Sequence, residues 1–284
     1  MLKPTFLFLF LFSSFLHLQD TDPWVIDDIR LTGLQRVSAG SVFAVMPVGL
    51  GDEKYSPEWF DDYGNINIHH KNKYYGEYTF HYKLWKNNLN ILNNSKWIGF
   101  CTYRRFWSQN KIIKETFNLN KHIIKSVPIE WKNNNTVLVE PIFTNKTKFS
   151  KIFKHGKKIL LKNPFIFFNK KKITIKTHFD MYHGYGNLDK AINLLNKDDR
   201  EDFRTFVNTN IQFNPYNMFI CNSKDILFNY YSALFPWLEE CEKLFGFNFN
   251  PDDYGRIRIY GFLAERYLSF WFNKYTNPAI WPVH

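Results

Sequence analysis

Two short stretches carry the side chains best suited to chemistry. Residues 73–87 read KYYGEYTFHYKLWKN, and residues 97–107 read WIGFCTYRRFW. In the second, an apolar run ends in Tyr103, Arg104 and Arg105. Open α/β sheets bind ligands at strand ends, and a guanidinium grips phosphate oxygens through a planar fork. Successive strand residues point to opposite sides, so one of Arg104 and Arg105 would face such a crevice and suit a nucleotide diphosphate. A surface arginine pair held in ion pairs would read the same way. In the first stretch, Glu77 interrupts an aromatic face formed by Tyr75, Tyr78, Tyr82 and Trp85. A carboxylate so placed is either a general base with a raised pKa or a solvated side chain.

The elements that must position these groups follow from periodicity. Tyr75, Tyr78, Tyr82 and Trp85 recur at helical spacing and predict a helix over 73–88. The apolar density of 97–103 predicts a buried strand, and 136–140 a second, stopped by Pro141. Polar–apolar alternation over 173–179 predicts a third strand. Residues 188–195 and 199–207 read as helices, the latter with acids in its first turn. A short buried strand is expected over 217–221. Two longer helices close the chain, 224–245 with a kink at Pro236, and 253–272. Strands separated by helices predict an α/β layered domain with a mainly parallel sheet and two long C-terminal helices.

The length of 284 residues and a 45% share of apolar residues support a full core and exclude disorder. The formal net charge is +11. Before residue 54 the basic residues Lys3, Arg30 and Arg36 are outnumbered by acids, so the positive charge belongs to the remainder. A basic domain attracts polyanions: nucleotide phosphates, anionic lipid or nucleic acid. Cys101, Cys221 and Cys241 show no metal-ligand spacing. Cys101 and Cys221 sit in apolar runs and are expected to be buried, as in a cytosolic domain without disulfides.

The N-terminal part differs in kind. Phe6 to Phe12 and Phe15 to Leu18 make an apolar stretch too short for a membrane-spanning helix, and it fits the core of a secretory signal peptide over 1–19. No clear small-x-small triplet precedes Asp20. Residues 24–52 contain a predicted strand (Val25, Ile29, Leu31) and a turn over 37–40. With their DIR…GLQRVSAG…PV…GD pattern they resemble the start of the first POTRA domain of the outer-membrane barrel-assembly factor. No Asn occurs before residue 54, whereas Asn is frequent after it. These contrasts predict a POTRA-like fragment over 20–53 joined near Gly51–Lys54 to a separate domain, 54–284.

From residue 54 onward, several blocks stand in a fixed order: DDYGNINI, YGEYTFHYKLWKN, WIGFCTYRRFW, HFDMYHGYGNLDKAI, YNMFIC and YGFLAERYLSFW. Together they resemble the domain-of-unknown-function 4422 family, glycosyltransferase-like proteins of lipopolysaccharide and capsule gene sets. The resemblance implies sugar transfer from a nucleotide-sugar donor on a GT-A-like α/β fold. Carried over block by block, it points to Glu77, Trp85, Lys86, Tyr103, Arg104, Arg105, Asp180, His183, Asn217, Glu265 and Arg266. Arg104 and Arg266 would suit the diphosphate, Glu77 or Asp180 the acceptor hydroxyl, and Trp85 or Tyr103 a wall for the sugar. Glu265 and Arg266, inside an aromatic helix, would equally suit a buried structural ion pair. GT-A enzymes usually hold manganese or magnesium on an Asp-x-Asp motif. The sole such triplet here, Asp20-Thr21-Asp22, lies in the N-terminal segment, which leaves the metal open. Nor does the N-terminal segment supply the family's His-bearing first loop, although 41–48 is apolar enough for its strand. Activity weakened by that replacement is therefore one expectation.

From Lys146 to Lys176, lysines interleave with Phe149, Ile152, Phe153, Phe165, Phe167 and Ile173. Such a stretch suits anionic headgroups near a membrane-bound acceptor, or is a solvated lysine face over ordinary core. No nucleic-acid-binding motif accompanies it. The leading expectation is a glycosyltransferase at the cytoplasmic face of the inner membrane, acting on a glycan or lipid-linked acceptor. The alternative is an exported, non-enzymatic POTRA-type segment fused to an inert domain, which the signal-peptide reading would favour.

Overall fold

The computed structural model describes residues 10–12, 47–51, 59–87, 89, 97–102, 105–111, 116, 118–147, 157–162, 169, 173–250 and 253–284. Strands β1 (Phe10–Phe12), β2 (Pro47–Gly49) and β3 (Phe60–Asp61) pair in parallel, in that order. β4 (Ile98–Gly99) and β5 (Thr136–Val139) belong to a second sheet. β6 (Ile142–Phe143) and β7 (Gln212–Phe213) form a separate antiparallel pair. β8 (Phe219–Cys221) and β9 (Pro278–Trp281) complete the second sheet, whose order is β9-β5-β8-β4. In it β9 runs parallel to β5, while β8 runs antiparallel to both β5 and β4. The expected mainly parallel sheet is thus a mixed one. Apolar strands of two to four residues carry no sequence mark of their direction.

Because alternate strand residues face opposite ways, this sheet separates two cores. Leu138, Phe219 and Cys221 join Phe100 on the helical side. Val137, Val139, Met218 and Ile220 face Cys101, Trp107, Trp131 and Trp281 on the other. All three cysteines are buried.

The helical layer contains α1 (Asn72–Tyr75), α2 (Tyr78–Lys86), α3 (Ile175–Tyr182), α4 (Asn187–Ile192), α5 (Lys197–Thr209), α6 (Lys224–Phe245), α7 (Tyr254–Ile257) and α8 (Ile259–Tyr275). α6 begins where the Ser223 hydroxyl accepts from the Ile226 N–H and ends at Gly246, whose φ is 61°. α8 is buried on nearly every side and forms the centre of the layer. Three expectations change. The helix over 73–88 is broken at Gly76, where φ is 60°. The helix over 253–272 is broken at Arg258. The strand over 173–179 is instead α3, started by the Thr174 side chain accepting from the Thr177 N–H. There Ile175 and Phe179 lie one turn apart and are both buried, a spacing that alternation concealed. Of the strand expected over 41–48, only its end is described, in β2. The elements expected over 25–31 and 37–40 lie outside the described residues.

A histidine sits deep in the helical core. His81 Nδ1 is 2.5 Å from the Tyr231 hydroxyl, and its ring is 4.3 Å from that of Phe100. Burial pushes its pKa from 6.5 down to about 3. Between those values the unfolded chain takes up a proton that the native state refuses, so stability is complete above pH 6.5 and falls as pH drops. The slope for one such group approaches about 1.4 kcal/mol per pH unit. Denaturant unfolding at pH 7, 6 and 5 should therefore show a steeper loss in the wild type than in His81→Gln. Asp62, Asp180 and Glu265, raised by burial, act in the opposite sense. They are common to both proteins and drop out of the comparison. Parallel pH profiles would show that His81 titrates normally in the fold.

Candidate functional site

Glu77 stands at the start of α2, directly after the break at Gly76. The Arg258 guanidinium packs against this glycine: a β-carbon on Gly76 would lie 1.7 Å from one of its terminal nitrogens. Arg258, at the junction of α7 and α8, pairs with Glu77 Oε2 at 3.5 Å. Asn217 Nδ2 donates to Glu77 Oε1 at 2.6 Å, and the Tyr78 hydroxyl donates to Asn217 Oδ1 at 3.2 Å. α2 is anchored to the parallel sheet by Asp62, which is fully buried just past β3. Asp62 accepts from the Thr79 hydroxyl at 2.5 Å and from the Gly51 N–H at 3.3 Å. Burial raises its pKa.

The face of α8 opposite this group repeats at helical spacing: Arg258, Phe262, Glu265. Glu265 Oε1 accepts the Tyr216 N–H at 2.7 Å. Tyr216 and Asn217 both have positive φ, 73° and 54°. For a tyrosine that conformation is an outlier, and two in succession persist because the surroundings over-determine them. Glu265 holds one backbone amide, Glu77 holds the Asn217 side chain, and the Arg105 guanidinium covers the Tyr216 ring at 4.5 Å. Burial lifts the Glu265 pKa against the pull of Arg266.

His183 reaches the same face from the end of α3. Its ring stacks on Phe262 at 4.0 Å, and Nδ1 is 2.9 Å from the Gly255 carbonyl oxygen. Burial, then the nearby Arg266 charge, push its pKa well below the usual value. Asp180, one turn earlier, pairs with Lys176 at 2.6 Å and accepts the Gly186 N–H at 3.1 Å. Burial raises its pKa in spite of Lys176.

Of the residues singled out in the sequence, Glu77, Asn217, Glu265, Arg105 and His183 converge here. Arg266 lies behind them, 1% exposed, paired with Glu265 and stacked 3.9 Å over the Phe213 ring. Trp85 and Lys86 lie two turns along α2, about 12 Å from Glu77 by helix rise. There Trp85 donates to Ser232 and Lys86 sits over the Trp85 ring at 3.9 Å. Tyr103 and Arg104 lie outside the described residues, as does Asp20-Thr21-Asp22. Among the described residues, no group of three His, Cys, Asp or Glu side chains is placed to hold a metal ion. Sequence reasoning missed Arg258, Tyr216 and Phe262. Tyr216 and Phe262 stand inside the quoted blocks YNMFIC and YGFLAERYLSFW, and Arg258 falls two residues before the latter. Around Lys146 to Lys176, the described parts include Lys146 over the exposed Phe143 ring at 4.9 Å, and Leu161, 85% exposed.

Among solved structures, the chain is similar to WbbM, a bifunctional glycosyltransferase in its apo form, with a TM-score of 0.60 and 17% identity. The likeness covers 99% of this chain and 45% of that one, so the chain spans less than half the length of that protein. The fold is therefore the α/β architecture seen in a glycosyltransferase, consistent with a GT-A-like domain. The family described as a domain of unknown function, DUF4422, matches residues 35–277, and the chain belongs to it. No curated protein matches. The family match begins well before residue 54, inside the segment that resembled POTRA. Neither comparison supports the POTRA-like or signal-peptide readings. Val48 and Leu50, from that segment, are buried in the same core as α6 and α8. No helix among the described residues is long and apolar enough to cross a membrane.

Proposed function

We propose that this chain transfers a sugar from a nucleotide-sugar donor to a glycan or lipid-linked acceptor in surface polysaccharide synthesis. The observation that carries the reading is the polar cluster around Glu77, built where α2, the α7–α8 junction and the left-handed Tyr216–Asn217 segment meet. Its setting in a fold shared with a glycosyltransferase supports the reaction class.

In this reading Glu77 takes the proton of the acceptor hydroxyl as that oxygen bonds to the donor's anomeric carbon. The bond from that carbon to the diphosphate breaks, and the nucleoside diphosphate leaves. Arg105 and Arg258, with Arg104, offset the charge gathering on the leaving group. Asp180 is a poorer base because its side chain is 3% exposed and already holds Lys176 and the Gly186 N–H. Arg266 supports Glu265 in place of touching the donor. The exposed Phe143 and Leu161 among lysines favour contact with an anionic membrane surface, where a lipid-linked acceptor would lie.

A thermal-shift screen of the whole chain against nucleotide sugars, with and without manganese, tests the reading. A ligand at a hundred times its dissociation constant adds about 2.7 kcal/mol, a shift of several degrees. One donor class should shift the wild type, and Arg258→Ala should abolish the shift. A cooperatively melting protein that responds to no donor would refute it.

A further inference from the structure

Next to the Glu77 cluster, α7 presents a surface to which the transfer chemistry gives no role. Tyr254 is 62% exposed, yet its ring meets Phe262 edge-on at 6.1 Å and the Arg258 guanidinium lies 5.8 Å from its centre. Two residues on, the Arg256 side chain is 51% exposed and pairs with Asp253 at 3.2 Å.

The backbone beneath these side chains is fixed with unusual care. Asp253 caps α7 by accepting the Arg256 N–H at 3.1 Å. Gly255 lies so close to the end of α3 that a β-carbon there would be 2.0 Å from the Tyr182 carbonyl oxygen. The Gly255 carbonyl oxygen is in turn 2.9 Å from His183 Nδ1, and the His183 ring stacks on Phe262. A β-carbon on Gly184 would lie 3.4 Å from Arg256 Nε, so the 183–186 loop packs beside that guanidinium. A tyrosine left mostly in solvent on this turn, flanked by Phe262 and the Arg258 guanidinium, gains little from its own burial. It offers a preordered apolar face with donors at its rim, and preordering removes much of the cost of binding.

A pyranose ring matches that surface. One face presents C–H groups to an aromatic ring, and its equatorial hydroxyls point outward to the donors around it. Arg258 touches both Glu77 and the Tyr254 ring, so a sugar on Tyr254 lies one side chain from the proposed base. We infer that Tyr254 and Arg256 form the platform for the acceptor sugar, a pyranose unit of a glycan, and direct its hydroxyl toward Glu77. This inference rests on the transferase reading.

The test uses the full chain as wild type, Tyr254→Ala, Tyr254→Phe and Arg256→Ala. The probes are an array of bacterial surface oligosaccharides, nucleoside diphosphates, and nucleotide-sugar hydrolysis without acceptor. Tyr254→Ala and Arg256→Ala should each weaken glycan retention about tenfold, equivalent to ~1.4 kcal/mol. Tyr254→Phe keeps the ring and should retain the glycan. Nucleoside diphosphate binding and donor hydrolysis should stay at wild-type levels in all three. Undiminished glycan binding by Tyr254→Ala would overturn the platform, as would a wild type that binds nucleoside diphosphate but no glycan. Tyr254-dependent glycan binding in a chain that binds no nucleotide would uphold the platform and overturn the transferase reading alone.

Discussion

Replacing Glu265 with alanine should lower the melting temperature by roughly 10 °C, the largest loss expected from any single change at the site. Arg266 is 1% exposed and its charge is answered by Glu265. Removing the carboxylate leaves a guanidinium in a setting of Phe213, Phe179 and His178, and an uncompensated buried charge costs about 3–5 kcal/mol. It also strips the Tyr216 N–H of its acceptor, at a position where the backbone is already unfavourable. The reverse change, Arg266→Met, should be milder. A buried carboxyl whose pKa is already lifted can take up a proton, whereas a guanidinium cannot shed one. Glu265→Gln combined with Arg266→Met should recover most of the loss. Thermal unfolding of the four proteins at pH 7 decides the matter, and equal melting temperatures for wild type and Glu265→Ala would show that Arg266 is not truly dependent on its neighbour.

Glu77→Gln should do the opposite: little to stability, much to turnover. The Glu77–Arg258 contact is long, 3.5 Å, and both side chains keep some contact with solvent, so little is lost there when Glu77 becomes neutral. Glutamine keeps an oxygen for the Asn217 amide but cannot accept a proton. Loss of a general base lowers rates by about 10²- to 10⁴-fold. Release of nucleoside diphosphate from the donor should fall by that factor, with the melting temperature nearly unchanged. If Glu77→Gln keeps more than about a tenth of the wild-type rate, the base lies elsewhere, and Asp180 is the next carboxylate to replace.

How far these features were visible in the sequence depended on whether they were local. The helix Lys224–Phe245 was read to the residue from its apolar side, and the structure adds the caps at Ser223 and Gly246 within the same segment. Strands within 97–103, 136–140 and 217–221 could be placed but not oriented, the one expected over 173–179 is a helix, and Pro278–Trp281 was not foreseen. Glu77 stood out as a carboxylate among aromatics. Asn217 was singled out too, but not as the partner of Glu77, from which it lies 140 positions away, and Arg258, 181 away, was not singled out at all. Arg258 was hidden inside what reads as one continuous helix, since nothing in the segment marks the break at that residue. Trp85 and Lys86 shared a block with Glu77, but helix rise carries them out of reach. The left-handed Tyr216 had no signature, because tyrosine is not a residue that announces such a backbone. His81, set among tyrosines, gave no sign that burial would hold it neutral.

The mixed sheet has a consequence for how the protein is made. β9 pairs with β5, and Trp281 closes the tryptophan core by donating to the Ser108 carbonyl across 173 positions of sequence. Until that strand has emerged and docked, Trp107 and Trp131 face an open edge of β5, and the smaller core exists only as a template. Contacts so distant along the chain form late and slowly. A nascent chain that stalls after α8 would therefore expose an apolar strand edge lined by indoles, the species on which a chaperone would act.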